Sequence, residues 1–91
     1  MGPMNLFKRK KPRTAAEIAG IIERFLNGNS LYPQEWNDFV ERHERDASLD
    51  PYRKKCYELD PLVNSPEPQN PKAVAELREM IEELRRMGTS N

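Results

Sequence analysis

The chain has 91 residues, of which 33% are charged and 36% hydrophobic, and its formal net charge is zero. That length suits one domain around one modest core, and no run of about 18 apolar residues is present that could span a membrane. The single cysteine rules out an internal disulfide, and it favours a reducing cytoplasm over secretion.

Met4 offers a second start, so Met1, Gly2 and Pro3 carry no functional reading. The start does not fit a signal peptide, because its basic run leads into an Ala/Ile/Glu mixture. Myristoylation is excluded as well, since Leu6 stands where Ser or Thr is needed. Lys8, Arg9, Lys10, Lys11 and Arg13 put five positive charges into six residues. The other ten Lys/Arg face fifteen Asp/Glu, so residues 1–13 carry +5 and residues 14–91 carry −5. This division predicts a flexible basic tail over 1–13 and a single helical domain over 14–88. In the tail, Leu6 and Phe7 precede the cationic run. One expectation is contact of Leu6, Phe7, Lys8, Arg9, Lys10, Lys11 and Arg13 with an anionic membrane surface or an acidic partner. Each basic residue near such a surface contributes on the order of 1 kcal/mol. Another is a solvated tail that binds nothing. Nucleic acid is disfavoured, because the acidic body repels phosphate and the tail offers one aromatic for stacking.

The chain then predicts an all-α fold, a small irregular bundle of about four helices. Thr14 and Glu17 form a capping box, and Ala15, Ile18, Ala19, Ile22, Phe25 and Leu26 recur at helical spacing up to a left-handed stop at Gly28. Helix one is expected over 15–27. Pro33 is read as the first residue of helix two, whose stripe Trp36, Phe39, Val40 and His43 runs to about Arg45 or Asp46. Asp50-Pro51 reads as N-cap and first-turn proline of a short helix three, with Tyr52, Cys56 and Leu59 on one face. Asp60-Pro61 should end it, because a residue before proline is pushed out of the helical region. Residues 60–71 then read as a proline-rich loop that Leu62 and Val63 pin to the body. Asn70-Pro71 starts helix four, with Val74, Leu77, Ile81 and Leu84 on its stripe and Gly88 closing it. No strand pattern competes.

Few chemistries remain open. His43 and Cys56 are the only members of their types, so a zinc site is disfavoured, and no Glu-x-x-His, EF-hand or phosphate-loop spacing is present. No cofactor is expected. A catalytic Cys56–His43 pair would need a reactive thiolate, a base in reach and a cleft. The simpler reading makes Cys56 a small core hydrophobe and His43 a helix-end residue. Carboxylate pairs such as Glu79 with Glu82 or Glu83, and Asp38 with Glu41, read as solvated faces, because acid–base work requires one partner to be desolvated.

Trp36, Phe39, Tyr52 and Tyr57 are the large side chains of the middle helices. Core positions are expected for Trp36 and Phe39, which share the apolar stripe. Tyr57 lies off the Tyr52–Cys56–Leu59 face and is the leading candidate for an exposed interface aromatic, with Trp36 and Tyr52 behind it. Helix four could also pair with a second copy, although two to three heptads are few for a coiled coil.

The segments Glu35-Trp36-Asn37-Asp38-Phe39, Asp50-Pro51-Tyr52-Arg53-Lys54-Lys55-Cys56, Glu76-Leu77-Arg78 and Glu82-Glu83-Leu84-Arg85 resemble small uncharacterised bacterial helical proteins with E-W-x-x-F and D-P-x-x-x-x-x-C helices. The resemblance covers about residues 33–87. It implies a bacterial, cytoplasmic setting and transfers no activity and no site residue. Taken together, the sequence predicts a non-enzymatic protein–protein interaction module of accessory or immunity type. Its acidic body would suit a basic partner such as a nuclease toxin. The alternative is peripheral attachment to the inner membrane face through the basic tail.

Overall fold

The computed structural model describes residues 12–89, which form four helices and no strand. We label them α1 (Ala15–Asn27), α2 (Glu35–Glu41), α3 (Asp50–Val63) and α4 (Pro71–Thr89). The fold is all-α, as the sequence predicts. The main packing pair is α1 with α4, and the end of α4 lies beside the start of α1, where Gly88 faces Ala16. Helix α2 lies against α1 and α3, and α3 also packs on α4.

The predicted start and stop of α1 are both present. Thr14 Oγ1 accepts from Glu17 N at 3.1 Å, and Glu17 Oε1 accepts from Thr14 N at 2.8 Å. Gly28 ends the helix with φ at 75°, and its N–H is directed to the carbonyls of Arg24 and Phe25. Ile18, Ala19, Ile21 and Ile22 face the core. Nothing lies within 4 Å of a Cβ built on Gly28, so only the backbone conformation opposes a side chain there. Gly28→Ala should therefore cost about 1 kcal/mol and lower the melting temperature by roughly 4–8 °C, readable by circular dichroism. Gly28→Asn should cost less.

Helix α2 is shorter than the stripe predicts. Pro33 sits in the preceding turn, and the helix starts at Glu35. It stops after Glu41 because the next helical bond is taken apart from outside. In a continuing helix, Glu44 N would donate to Val40 O. Instead Arg53 Nη1 donates to Val40 O at 2.9 Å, and Glu44 N donates to Asp50 Oδ1 at 2.8 Å. Arg42 is extended, and His43 lies beyond the helix with its side chain 85% exposed, not on an apolar stripe. Asp50 is accordingly not the N-cap of α3, a place held by Leu49. Its carboxylate faces back to hold the 42–49 segment.

Asp60-Pro61 does not end α3, which runs on to Val63. Pro61 removes one backbone donor in the last turn, yet that turn is held from other sides. Asn64 N donates to Asp60 O at 2.8 Å, the Trp36 indole donates to the Asp60 carboxylate at 2.6 Å, and Val63 is buried. The Leu62 side chain is exposed and only its carbonyl helps to hold the loop. The proline-rich stretch is therefore 64–70, tied back by Asn70 N to Leu62 O and by Gln69 Nε2 to Val63 O. Asn70 Oδ1 accepts from Lys72 N and Ala73 N, which makes it the predicted cap of α4. Gly88 does not stop α4; it lies within the last turn, where the close approach to Ala16 leaves a Cβ at 3.5 Å.

The core unites all four helices: Ile18, Ile22, Phe39, Cys56, Leu77 and Leu84 are its most enclosed side chains. Trp36 stacks on Phe25 with ring centroids 4.1 Å apart and meets Phe39 edge-on at 6.0 Å. Two ion pairs, Lys55–Glu76 and Arg85–Glu23, add links between helices on the exposed side. Among the described residues, no helix is long and apolar enough to cross a membrane.

Candidate interaction surface

The structure places an open groove of about 820 Å³ between the first half of α1, Tyr32, and the Arg42–Arg45 segment. Ala16, Gly20 and Ile21 line it together with Arg13, Arg24, Arg42 and Arg45. Three charge networks, each with one buried member (Glu35, Glu44 or Arg53), join the lining residues to the body.

The first joins Arg24 to Glu35. Arg24 Nη2 and Nε reach the two Glu35 carboxylate oxygens at 2.5 and 3.2 Å, a bidentate pair, and Leu31 N donates to the same carboxylate at 3.0 Å. Gly20 permits this: a Cβ there would stand 3.2 Å from the Arg24 guanidinium. The hydrogen bonds from Arg24 hold the Glu35 carboxyl below its ordinary range. The second network joins Arg13 Nη1 to Glu44 at 2.7 Å, with the Glu44 side chain 2% exposed. The Arg13 guanidinium also lies 5.9 Å from the Phe39 ring centroid, within cation–π range. Arg13 is thus part of the body and not of a flexible tail. The other tail residues named above, Leu6, Phe7, Lys8, Arg9, Lys10 and Lys11, lie outside the described residues.

The third network is built on Asp50 and Arg53. Asp50 accepts from Arg53 Nε at 3.0 Å, from Arg53 Nη2 at 3.2 Å and from Glu44 N at 2.8 Å, and it lies 3.2 Å from His43 Nδ1. These donors, Arg53 first, hold the Asp50 carboxyl far below its ordinary value of 3.8. A depressed carboxyl contributes stability that is fully present above its unfolded value and is lost as pH falls through the folded one. The 42–49 segment should therefore stay closed at pH 4 and release only well below it. Amide exchange at Glu44, followed from pH 6 to pH 2, measures this; release already at pH 5 would contradict it.

The remaining candidates are placed as follows. Tyr57 is 57% exposed on α3, while Trp36 is only 3% exposed and presents no surface to a partner, because its ring is packed between Phe25 and Phe39. Tyr52 is half-buried against the core. Cys56 is fully enclosed, with its sulfur 3.6 Å from Met80 Sδ, and burial pushes its thiol up to about 12. His43 meets Asp50 and Arg53, so the two residues are engaged with different neighbours. Glu41, Glu79, Glu82 and Glu83 are exposed, and Asp38 accepts from the Tyr32 hydroxyl at 3.1 Å. None is a desolvated partner of another carboxylate. Among the described residues, no three His, Cys, Asp or Glu side chains are arranged to hold a metal ion.

Sequence reasoning passed over Glu35, Glu44 and Arg53 as buried charges. The one legible signal was the Asp50–Arg53 spacing, which places opposite charges three apart on a helix. No family model, curated protein or solved structure matches this chain. The groove must therefore be judged on its own chemistry.

Proposed function

We propose that this chain is a non-enzymatic protein–protein interaction module of accessory or immunity type. The groove carries the reading. Its lining includes two Arg–carboxylate pairs whose glutamates are buried, and no activated nucleophile stands among the lining residues. Preorganised charge of this kind favours recognition and orientation of a partner. Exposed Tyr57, on a different helix, offers an aromatic anchor of the type that dominates interfaces. A photo-crosslinking amino acid placed in the native host at position 42, 57 or 79 tests this. The expected result is one protein, captured from position 42 or 57 and not from 79, that rebuilds a stoichiometric complex when both components are purified. Absence of any such complex would overturn the reading. Rapid alkylation of Cys56 at neutral pH in the native fold would instead favour an enzyme; its thiol is expected to label only on unfolding.

Peripheral membrane attachment is a second reading, supported by the Leu6-Phe7 pair beside the Lys8–Lys11 run. Removal of residues 1–11 should abolish flotation with phosphatidylserine vesicles while leaving Arg13 on the body. Unchanged flotation would end this reading.

A further inference from the structure

The last residue of α1 and the glycine that caps it read Asn27-Gly28. Asparagine is thermolabile, because the backbone nitrogen of the next residue can attack its side-chain amide carbon. The N–Cγ bond forms, ammonia leaves from Cγ, and a five-membered succinimide results. Water then opens that ring at either carbonyl. One product is aspartate; the other is isoaspartate, whose backbone runs through the β-carbon. Water is the one reactant consumed, and ammonia is released. A following glycine favours closure, since no side chain crowds the attacking nitrogen.

Five asparagines lie among the described residues, and their surroundings differ. Asn70 precedes a proline, whose nitrogen cannot close the ring, and its Oδ1 is held by the amides of Lys72 and Ala73. Asn64 Nδ2 donates to Asn37 Oδ1 at 3.2 Å and to Asp60 Oδ1 at 3.0 Å, so Asn64 and Asn37 are both tethered. Asn29 is exposed but precedes Ser30. Asn27 is exposed, makes no side-chain hydrogen bond among the described residues, and alone of the five precedes a glycine. A Cβ on Gly28 would meet nothing within 4 Å, so water has free access to this point.

The helix end opposes the reaction while it stays wound. Ring closure needs Asn27 Cβ, Cα and C and the Gly28 nitrogen nearly coplanar, whereas a helical ψ of about −42° keeps them twisted. The Gly28 N–H is directed to the carbonyls of Arg24 and Phe25, and Asn29 N donates to Arg24 O at 2.9 Å. Helix ends fray at small free energies, so this turn opens far more often than the domain unfolds. We propose that Asn27 is a site of spontaneous covalent modification, converted through a succinimide to aspartate and isoaspartate whenever the last turn of α1 unwinds. The site is independent of the reading of the chain as an interaction module. Isoaspartate adds one backbone atom just before the cap, which throws the bonds of Gly28 N and Asn29 N to Arg24 O out of register. Leu31 N, in the turn that follows, holds Glu35, and Arg24 and Tyr32 line the groove on either side of that turn. Conversion therefore loosens that side of the groove irreversibly.

The test incubates the full chain in mildly alkaline buffer over a series of guanidinium chloride concentrations that crosses its unfolding transition. Mass spectrometry of the tryptic peptides, the one spanning 25–42 among them, locates the mass gain of amide-to-acid conversion. We expect conversion at Asn27 ahead of Asn29, Asn37, Asn64 and Asn70, at least tenfold slower in the folded chain than in the unfolded one. Asn27→Gln should abolish it at that position. Below the transition the rate should stay nearly flat with denaturant, because opening one turn exposes little surface. The isoaspartate form, separated by chromatography, should exchange its Asn29 amide faster than the starting chain and faster than Asn27→Asp, which carries the same charge on an ordinary backbone. Four results would overturn the proposal. The first is equal rates in the folded and unfolded chain. The second is a rate below the transition that climbs with the unfolded fraction, which assigns the reaction to global unfolding. The third is conversion led by another asparagine, or none at Asn27 in either state. The fourth is an isoaspartate form whose Asn29 amide exchanges no faster than that of Asn27→Asp.

Discussion

Trp36→Ala should remove about 3–5 kcal/mol from the stability of this domain. Trp36 stacks on Phe25, touches Phe39 edge-on and donates from its indole to Asp60. It therefore joins α1, α2 and the last turn of α3 through one side chain. Replacing a buried Trp by Ala costs about 3–5 kcal/mol, as lost burial plus the cavity left behind. A domain of this size has about 5–14 kcal/mol to lose, at 0.05–0.15 kcal/mol per residue. Trp36→Phe separates the two contributions. It keeps most of the ring packing and removes the hydrogen bond, at a cost of about 1–2 kcal/mol. Urea unfolding followed by circular dichroism measures both, since the substitution removes the only tryptophan and its fluorescence. A loss below 1 kcal/mol for Trp36→Ala would contradict the central place given to this residue.

Arg53→Met should be nearly as costly for a different reason. The methionine retains the aliphatic stem and roughly the volume, so packing changes little. What is lost is the donor set to Val40 O and to both Asp50 oxygens. Arg53 is 7% exposed, and its loss strips Val40 O and the partly exposed Asp50 carboxylate of their guanidinium donors, at a cost of about 2–3 kcal/mol. Arg53→Lys should not rescue it, since one ammonium cannot reproduce the fork. The double variant Asp50→Asn, Arg53→Met should cost clearly less than the two single changes added together. Additive costs would deny the coupling. The single change should also expose the Glu44 amide to exchange, because Asp50 then loses the partner that orients it.

The sequence made the long elements legible and the charged contacts between them illegible. Helix α1 was readable at both ends because its capping box and its left-handed glycine are local signals within four residues of where they act. Helix α4 was readable from its stripe and from Asn70. Helix α2 was overextended because its stop depends on Arg53 and Asp50, which come about ten residues later and exchange partners with the Val40–Glu44 bond. Local periodicity carries no trace of such a swap. Pro61 misled for a related reason: the rule for the residue before proline weighs only the local backbone, whereas Trp36 and Val63 hold Asp60 and the last turn in place. The candidate surface was half legible. Arg13 and the charge run before it stood out at once, as did Tyr57. Arg42 and Arg45 fall inside the range predicted for helix two, and only their position beyond the true helix end brings them to the groove beside Arg13.

That groove is where the account is most exposed to test. The most direct measurement is the two-dimensional amide spectrum of the full chain, titrated with the protein captured through position 42. The account requires the shifts to concentrate on Arg13, Ala16, Gly20 and residues 42–45, with the amides along the outer side of α4 unmoved. Shifts confined to Lys8–Lys11, or spread evenly over the surface, would contradict it.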